Sequence, residues 1–130
     1  ETTEVNDYLV KRTQEILKGT AQSLDVQLSI EDLGTVYDIK NDPELVEYLK
    51  EVASQCPLVK AVTTHSDFGG SEDASIIIKR IQQLFGKCIY FVIGADRTAG
   101  HHQPDFDADE AALEIGFEMF KGLIRKVNGC

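Results

Sequence analysis

The residues best equipped for chemistry lie in the run Ala99 to Glu110, AGHHQPDFDADE. His101 and His102 follow a glycine and precede four acids, Asp105, Asp107, Asp109 and Glu110. Imidazole is the commonest protein metal ligand, and carboxylates accompany it on the ion or behind it, where they orient the ring. Adjacent side chains diverge on an irregular backbone. One histidine is therefore expected to bind, while the other supports it or meets substrate. The plain alternative is two surface histidines in a polar loop. For the acids the alternative is stronger. Asp107 can cap a following helix, Glu110 stands three residues on in capping-box position, and Asp109 suits the positive end of the helix dipole.

A second candidate is Gly69-Gly70-Ser71-Glu72-Asp73, at the start of a predicted helix. Backbone N–H groups at a helix start can hold a carboxylate or phosphate, and glycine lets a ligand approach the backbone. Ser71 as an ordinary N-cap explains the same residues. Neither a GxGxxG dinucleotide motif nor a GxxxxGK[ST] phosphate loop occurs in the chain. His65 reads as a loop residue. Cys56, Cys88 and Cys130 are odd in number, widely spaced and form no CxxC pair. Neither Cys56 nor Cys88 sits at a glycine-rich elbow or an electropositive site, which disfavours a thiol nucleophile. Unpaired thiols fit a reducing, cytoplasmic setting.

The elements that must position these residues alternate. Val5 to Leu24 has apolar residues at helical spacing. Val26, Leu28 and Ile30 alternate with polar neighbours, so a half-buried strand is expected there, extended through 33–39. Asn41-Asp42-Pro43 is a helix start with proline at the first helical position, and the helix stops before Pro57. A short strand is expected over 59–64, a helix over 72–84 ended by Gly86, and a buried central strand over 88–94, CIYFVIG. A last helix, capped by Asp107, runs to about Val127. This α-β-α-β-α-β-α order predicts an α/β layered architecture. The pattern restarts near Lys40-Asn41-Asp42, where a first helix–strand unit would end.

The chain has 130 residues, 42% hydrophobic and 27% charged, as expected of a globular domain. Its 22 acids against 13 bases give a net charge of −9. That balance argues against nucleic acid and against an anionic membrane surface. No run is long enough to span a bilayer, and no signal-peptide pattern is present.

Together GGSEDAS (Gly69 to Ser75), YFVIGAD (Tyr90 to Asp96) and AGHHQPDFDADEAAL (Ala99 to Leu113) resemble a known family. It is the dinuclear metallopeptidases that include aminoacylases, carboxypeptidase G and aminobenzoyl-glutamate hydrolases, with the A-type subunits of the last as the nearest branch. There a GSEDA block and a GHHN-x-x-FDFDE block lie at similar spacing. Gln103-Pro104 and Ala108 depart from that pattern.

The resemblance implies a layered αβα catalytic domain, with residues 41–130 as its C-terminal half. Residues 1–40 would be the last helix and strand of a lid, or dimerisation, domain. It implies two divalent metals, zinc or manganese, that generate hydroxide and polarise an amide carbonyl. His102 would be a metal ligand by position, with His101 as second choice. Gly70, Ser71, Glu72 and Asp73 would face the substrate, an N-acyl amino acid or aminobenzoyl-glutamate. A homo-oligomer is expected. The family's Glu-Glu pair is absent from these residues, so the catalytic groups are unassigned and the chain alone is expected to be inactive. The alternative is a non-catalytic folded fragment or dimerisation module.

Overall fold

The computed structural model describes residues 2–64 and 72–129. Among these, four α-helices form: α1 (Thr3–Ser23), α2 (Pro43–Gln55), α3 (Ala74–Gln83) and α4 (Ala111–Asn128). The chain divides into two compact units, Glu1–Ile39 with Gly69–Phe85, and Lys40–Phe68 with Gly86–Cys130.

In the first unit, the Thr2 hydroxyl caps α1 by accepting from the Val5 N–H at 3.4 Å. The helix ends where Asp25 turns to a positive φ of 52° and Val26 N–H returns to the Ala21 carbonyl at 3.0 Å. The segment at Tyr37-Asp38 is pinned at two points. Asp38 accepts from the Thr3 backbone and hydroxyl, and its own N–H donates to the Thr3 hydroxyl. Tyr37 N–H donates to Ser75 Oγ at 3.0 Å, and Ser75 is 1% exposed. Lys79 also lies over the Tyr37 ring. These ties group α3 with α1.

In the second unit, Pro43 opens α2 and Gly129, with φ of 72°, closes α4. Proline lacks only an N–H that the first helical turn could not use, and a left-handed glycine suits a helix end. α2 and α4 pack closely because position 122 carries no side chain: a Cβ there would collide with Val52 Cγ1. Ala53, Met119 and Leu123 are buried in this unit. The apolar run 88–94 lies on α4, with Phe91 against Phe120 at 4.9 Å between ring centres. Ion pairs Lys87–Glu44 and Lys126–Glu51 tie the surface to α2.

The strands expected at 26–30, 33–39, 59–64 and 88–94 do not form among the described residues. There the α/β pattern is realised only in its helices, with one isolated antiparallel bridge, Arg97 to Ala108. A strand exists only through a neighbour that takes its N–H and C=O groups in a ladder. At 88–90 one backbone bond, Asp42 N–H to the Cys88 carbonyl at 3.0 Å, is joined by side chains in place of a ladder. Asn41 Oδ1 and Nδ2 take the Tyr90 N–H and C=O, and Asp42 Oδ2 takes the Cys88 N–H at 2.6 Å.

That arrangement also changes the expected caps. Asp42 stands at the N-cap of α2 without capping it, because its carboxylate is engaged by Cys88. The capping box expected from Asp107 and Glu110 does not form. Asp107 is held by backbone pairing, α4 starts at Ala111, and Asp109 Oδ1 accepts the Ala111 N–H instead.

Candidate functional site

The histidine loop is a closed hairpin. Arg97 stands opposite Ala108, flanked by Thr98 N–H to the Asp107 carbonyl at 3.0 Å and Asp109 N–H to the Asp96 carbonyl at 2.9 Å. This is the non-hydrogen-bonded pair of an antiparallel ladder with its two neighbouring bonds. Above it the chain makes two consecutive turns. Gln103 N–H returns to Gly100 at 3.3 Å and Phe106 N–H to Gln103 at 3.1 Å. Pro104 sits at the second position of the latter, where its fixed φ is favoured.

His101 and His102 occupy the two corners of the first turn. His102 takes a positive φ of 62° and His101 does not, the pattern of a type II turn. That position normally selects glycine or asparagine, so an imidazole is held there against backbone preference. His101 stacks on Phe106, with ring centres 5.3 Å apart. Both histidines are exposed.

Thr98 is a residue that sequence reasoning misses. Its hydroxyl donates to the Asp105 carbonyl at 2.6 Å and accepts from the Asp107 N–H at 2.9 Å. No local pattern announces this, because its partners lie seven and nine residues away.

The second candidate falls partly outside the described residues: Gly69, Gly70 and Ser71 lie there, as does the separate loop residue His65. Glu72 and Asp73 precede α3, where their carbonyls accept from Ser75 and Ile76 at 3.0 and 3.1 Å. Asp73 is the N-cap of α3 but makes no side-chain cap bond. These two residues belong to the first unit and the histidines to the second. A groove of about 540 Å³ between α1 and residues 26–32 carries Lys18 and Asp32 but no histidine. Its chemistry is poorer than that of the histidine loop.

Cys88 is half-buried, and burial pushes its thiol up from the usual range, with Asp42 adding to the effect. That is the opposite of what a thiolate nucleophile needs. Among the described residues, no three His, Cys, Asp or Glu side chains converge to hold a metal. Two exposed histidines at one corner, with no such cluster around them among the described residues, do not make a complete two-metal site. No described helix is long and apolar enough to cross a membrane.

Comparison with known proteins decides the family. The model for peptidase family M20/M25/M40 matches residues 6–126. The chain belongs to this family. Within it, the chain is 38% identical over 123 residues to a homolog, from Haemophilus influenzae, of the A-type subunit of p-aminobenzoyl-glutamate hydrolase, covering 95% of this chain and 29% of that protein. It is 34% identical over 119 residues to an indole-3-acetyl-aspartic acid hydrolase of Enterobacter agglomerans, covering 91% and 27%. It is 31% identical over 129 residues to an N-acetyldiaminopimelate deacetylase of Streptococcus gordonii, covering 98% and 33%. The chain thus spans about a third or less of the length of these M20 relatives. No solved structure matches.

Proposed function

We propose that this chain is the C-terminal portion of a metal-dependent amidohydrolase that removes an acyl group from an amino acid, with aminobenzoyl-glutamate as the reference substrate. The observation that carries the reading is the family match over residues 6–126 together with the aminobenzoyl-glutamate hydrolase relatives. The names of three relatives share one chemistry. Each denotes an acylated amino acid bearing more than one carboxylate: glutamate, aspartate or diaminopimelate.

In this reading residues 41–130 belong to the catalytic domain and residues 1–40 to a lid domain that dimerises. Segments 26–30, 59–64 and 88–94 become strands when the rest of an α/β sheet supplies their neighbours. His102 contributes one ligand to a zinc or manganese site, and His101 packs behind it on Phe106. The Gly70-Ser71 turn faces the substrate and its carboxylate, and Glu72 and Asp73 complete the substrate-binding segment. The complete site needs donors from outside these residues, so the chain alone is inactive. The proposed setting is the cytoplasm.

The test is release of p-aminobenzoate from p-aminobenzoyl-glutamate, with zinc or manganese supplied. The chain alone is expected to give none. A longer protein containing it is expected to turn over, and to lose turnover with His102→Ala. Turnover by the isolated chain, or full activity of the long His102→Ala protein, would overturn the reading.

A further inference from the structure

We infer that Thr98 is the positioning residue of the histidine loop, its hydroxyl clasping both sides of the hairpin so that the corner bearing His101 and His102 is presented in one conformation. The inference rests on the proposed role of that corner in metal binding.

The hydroxyl has one proton and two lone pairs. Its proton goes to the Asp105 carbonyl at 2.6 Å, since the alternative acceptor, the Asp107 carbonyl, is 3.4 Å away. Its lone pair takes the Asp107 N–H at 2.9 Å. The backbone N–H of Thr98 meanwhile donates to the Asp107 carbonyl at 3.0 Å. One residue therefore holds both backbone groups of Asp107 and the carbonyl two residues before it.

The rest of the hairpin offers little to replace these bonds. The remaining bond of the bridge, Asp109 to Asp96, lies on the side away from the histidines. Inside the loop the backbone closes two short turns, and one of them strains His102 into the left-handed region. A strained corner persists only where its surroundings over-determine it. A loop whose ends are tied pre-pays the ordering of its side chains, which is how a ligand-bearing loop gains affinity. Serine offers the same hydroxyl; valine keeps the shape and loses both bonds.

The test uses the 130-residue chain as wild type, Thr98→Ser and Thr98→Val, isotope-labelled for NMR and titrated with Zn²⁺. Two readouts are followed: exchange of the Asp107 amide, and the zinc-dependent shifts of the His101 and His102 imidazoles. The amides of Val52 and Leu123 report whether the α2–α4 pair is intact in each variant. Wild type and Thr98→Ser are expected to agree in both readouts. Thr98→Val is expected to speed Asp107 exchange about tenfold, the equivalent of one to two lost hydrogen bonds. Its zinc half-saturation rises with it, while the α2–α4 amides stay unchanged. Unchanged Asp107 exchange in Thr98→Val, or failure of serine to rescue it, overturns the clasp. A wild-type chain whose histidines ignore zinc overturns the metal reading instead, and the Asp107 exchange still decides the clasp.

Discussion

The side-chain amide of Asn41 holds both backbone groups of Tyr90: its Nδ2 donates to the Tyr90 carbonyl at 2.8 Å, and its Oδ1 accepts the Tyr90 N–H at 2.7 Å. One residue on, Asp42 repeats the device at Cys88, donating its N–H to the Cys88 carbonyl and accepting the Cys88 N–H. Two consecutive residues thus stand in for a neighbouring strand along the segment that leads to the histidine loop. Asn41→Ala should lower stability by about 1–2 kcal/mol, two net hydrogen bonds at exposed sites. Asn41→Asp, which keeps the acceptor only, should lose about half of that. Urea midpoints of the three proteins check this; an Asn41→Ala midpoint equal to wild type would refute it.

Gly122 and Val52 set the approach of α4 to α2. Alanine at 122 would gain about 1 kcal/mol of helix propensity, yet its Cβ collides with Val52 Cγ1. A β-branched side chain in a helix has one strongly preferred rotamer, so Val52 cannot swing aside cheaply. Overpacking costs about 1–3 kcal/mol, and the net effect of Gly122→Ala should be destabilising. Adding Val52→Ala should recover part of the loss. A double-mutant cycle measures that coupling, and additive effects would show that the two positions do not set the approach.

Much of the helical framework is legible in the sequence, because helices are made locally. Apolar spacing finds α1 through Tyr8, Leu9 and Ile16, and Asp42-Pro43 marks the start of α2. What Asp42 does there is not legible. Its carboxylate serves Cys88, 46 residues away, rather than its own helix. The strands fail for the same reason in reverse: CIYFVIG has every strand property except a neighbouring strand among the described residues. The histidine pair is visible by type, but its type II corner and the Thr98 clasp are not. Both arise from pairing across the loop, and the capping pattern of Asp107 and Glu110 points elsewhere.

The Glu44 carboxyl is held below its ordinary value of 4.5, first by the hydrogen bond from Lys87 and then by that from Tyr48. Lys87 is raised above its ordinary 10.5 by the same contact. The lowered acid contributes stability above pH 4.5, lost as pH falls through the folded value; the raised base contributes below pH 10.5, lost as pH rises through its folded value. Both groups are exposed, so the effect is small. The stability gap between wild type and Lys87→Gln should be flat between those limits and close at either end. Denaturation midpoints across pH read it, and a gap persisting well below pH 4.5 would refute the assignment.

His102 sits at a φ of 62° that glycine accepts without strain. His102→Gly should leave stability unchanged or raise it by up to about 1 kcal/mol, whereas His102→Val should lower it. Thermal midpoints distinguish the two. A large loss in His102→Gly would mean the imidazole is structural rather than held in place for binding.

The central claim is that this chain carries one part of a metal site and not the whole. Calorimetric titration of Zn²⁺ and Mn²⁺ into the purified chain, wild type beside His102→Ala, tests it most directly. Weak binding by wild type, lost in His102→Ala, is the expected result. Tight binding of two equivalents by the chain alone would contradict it.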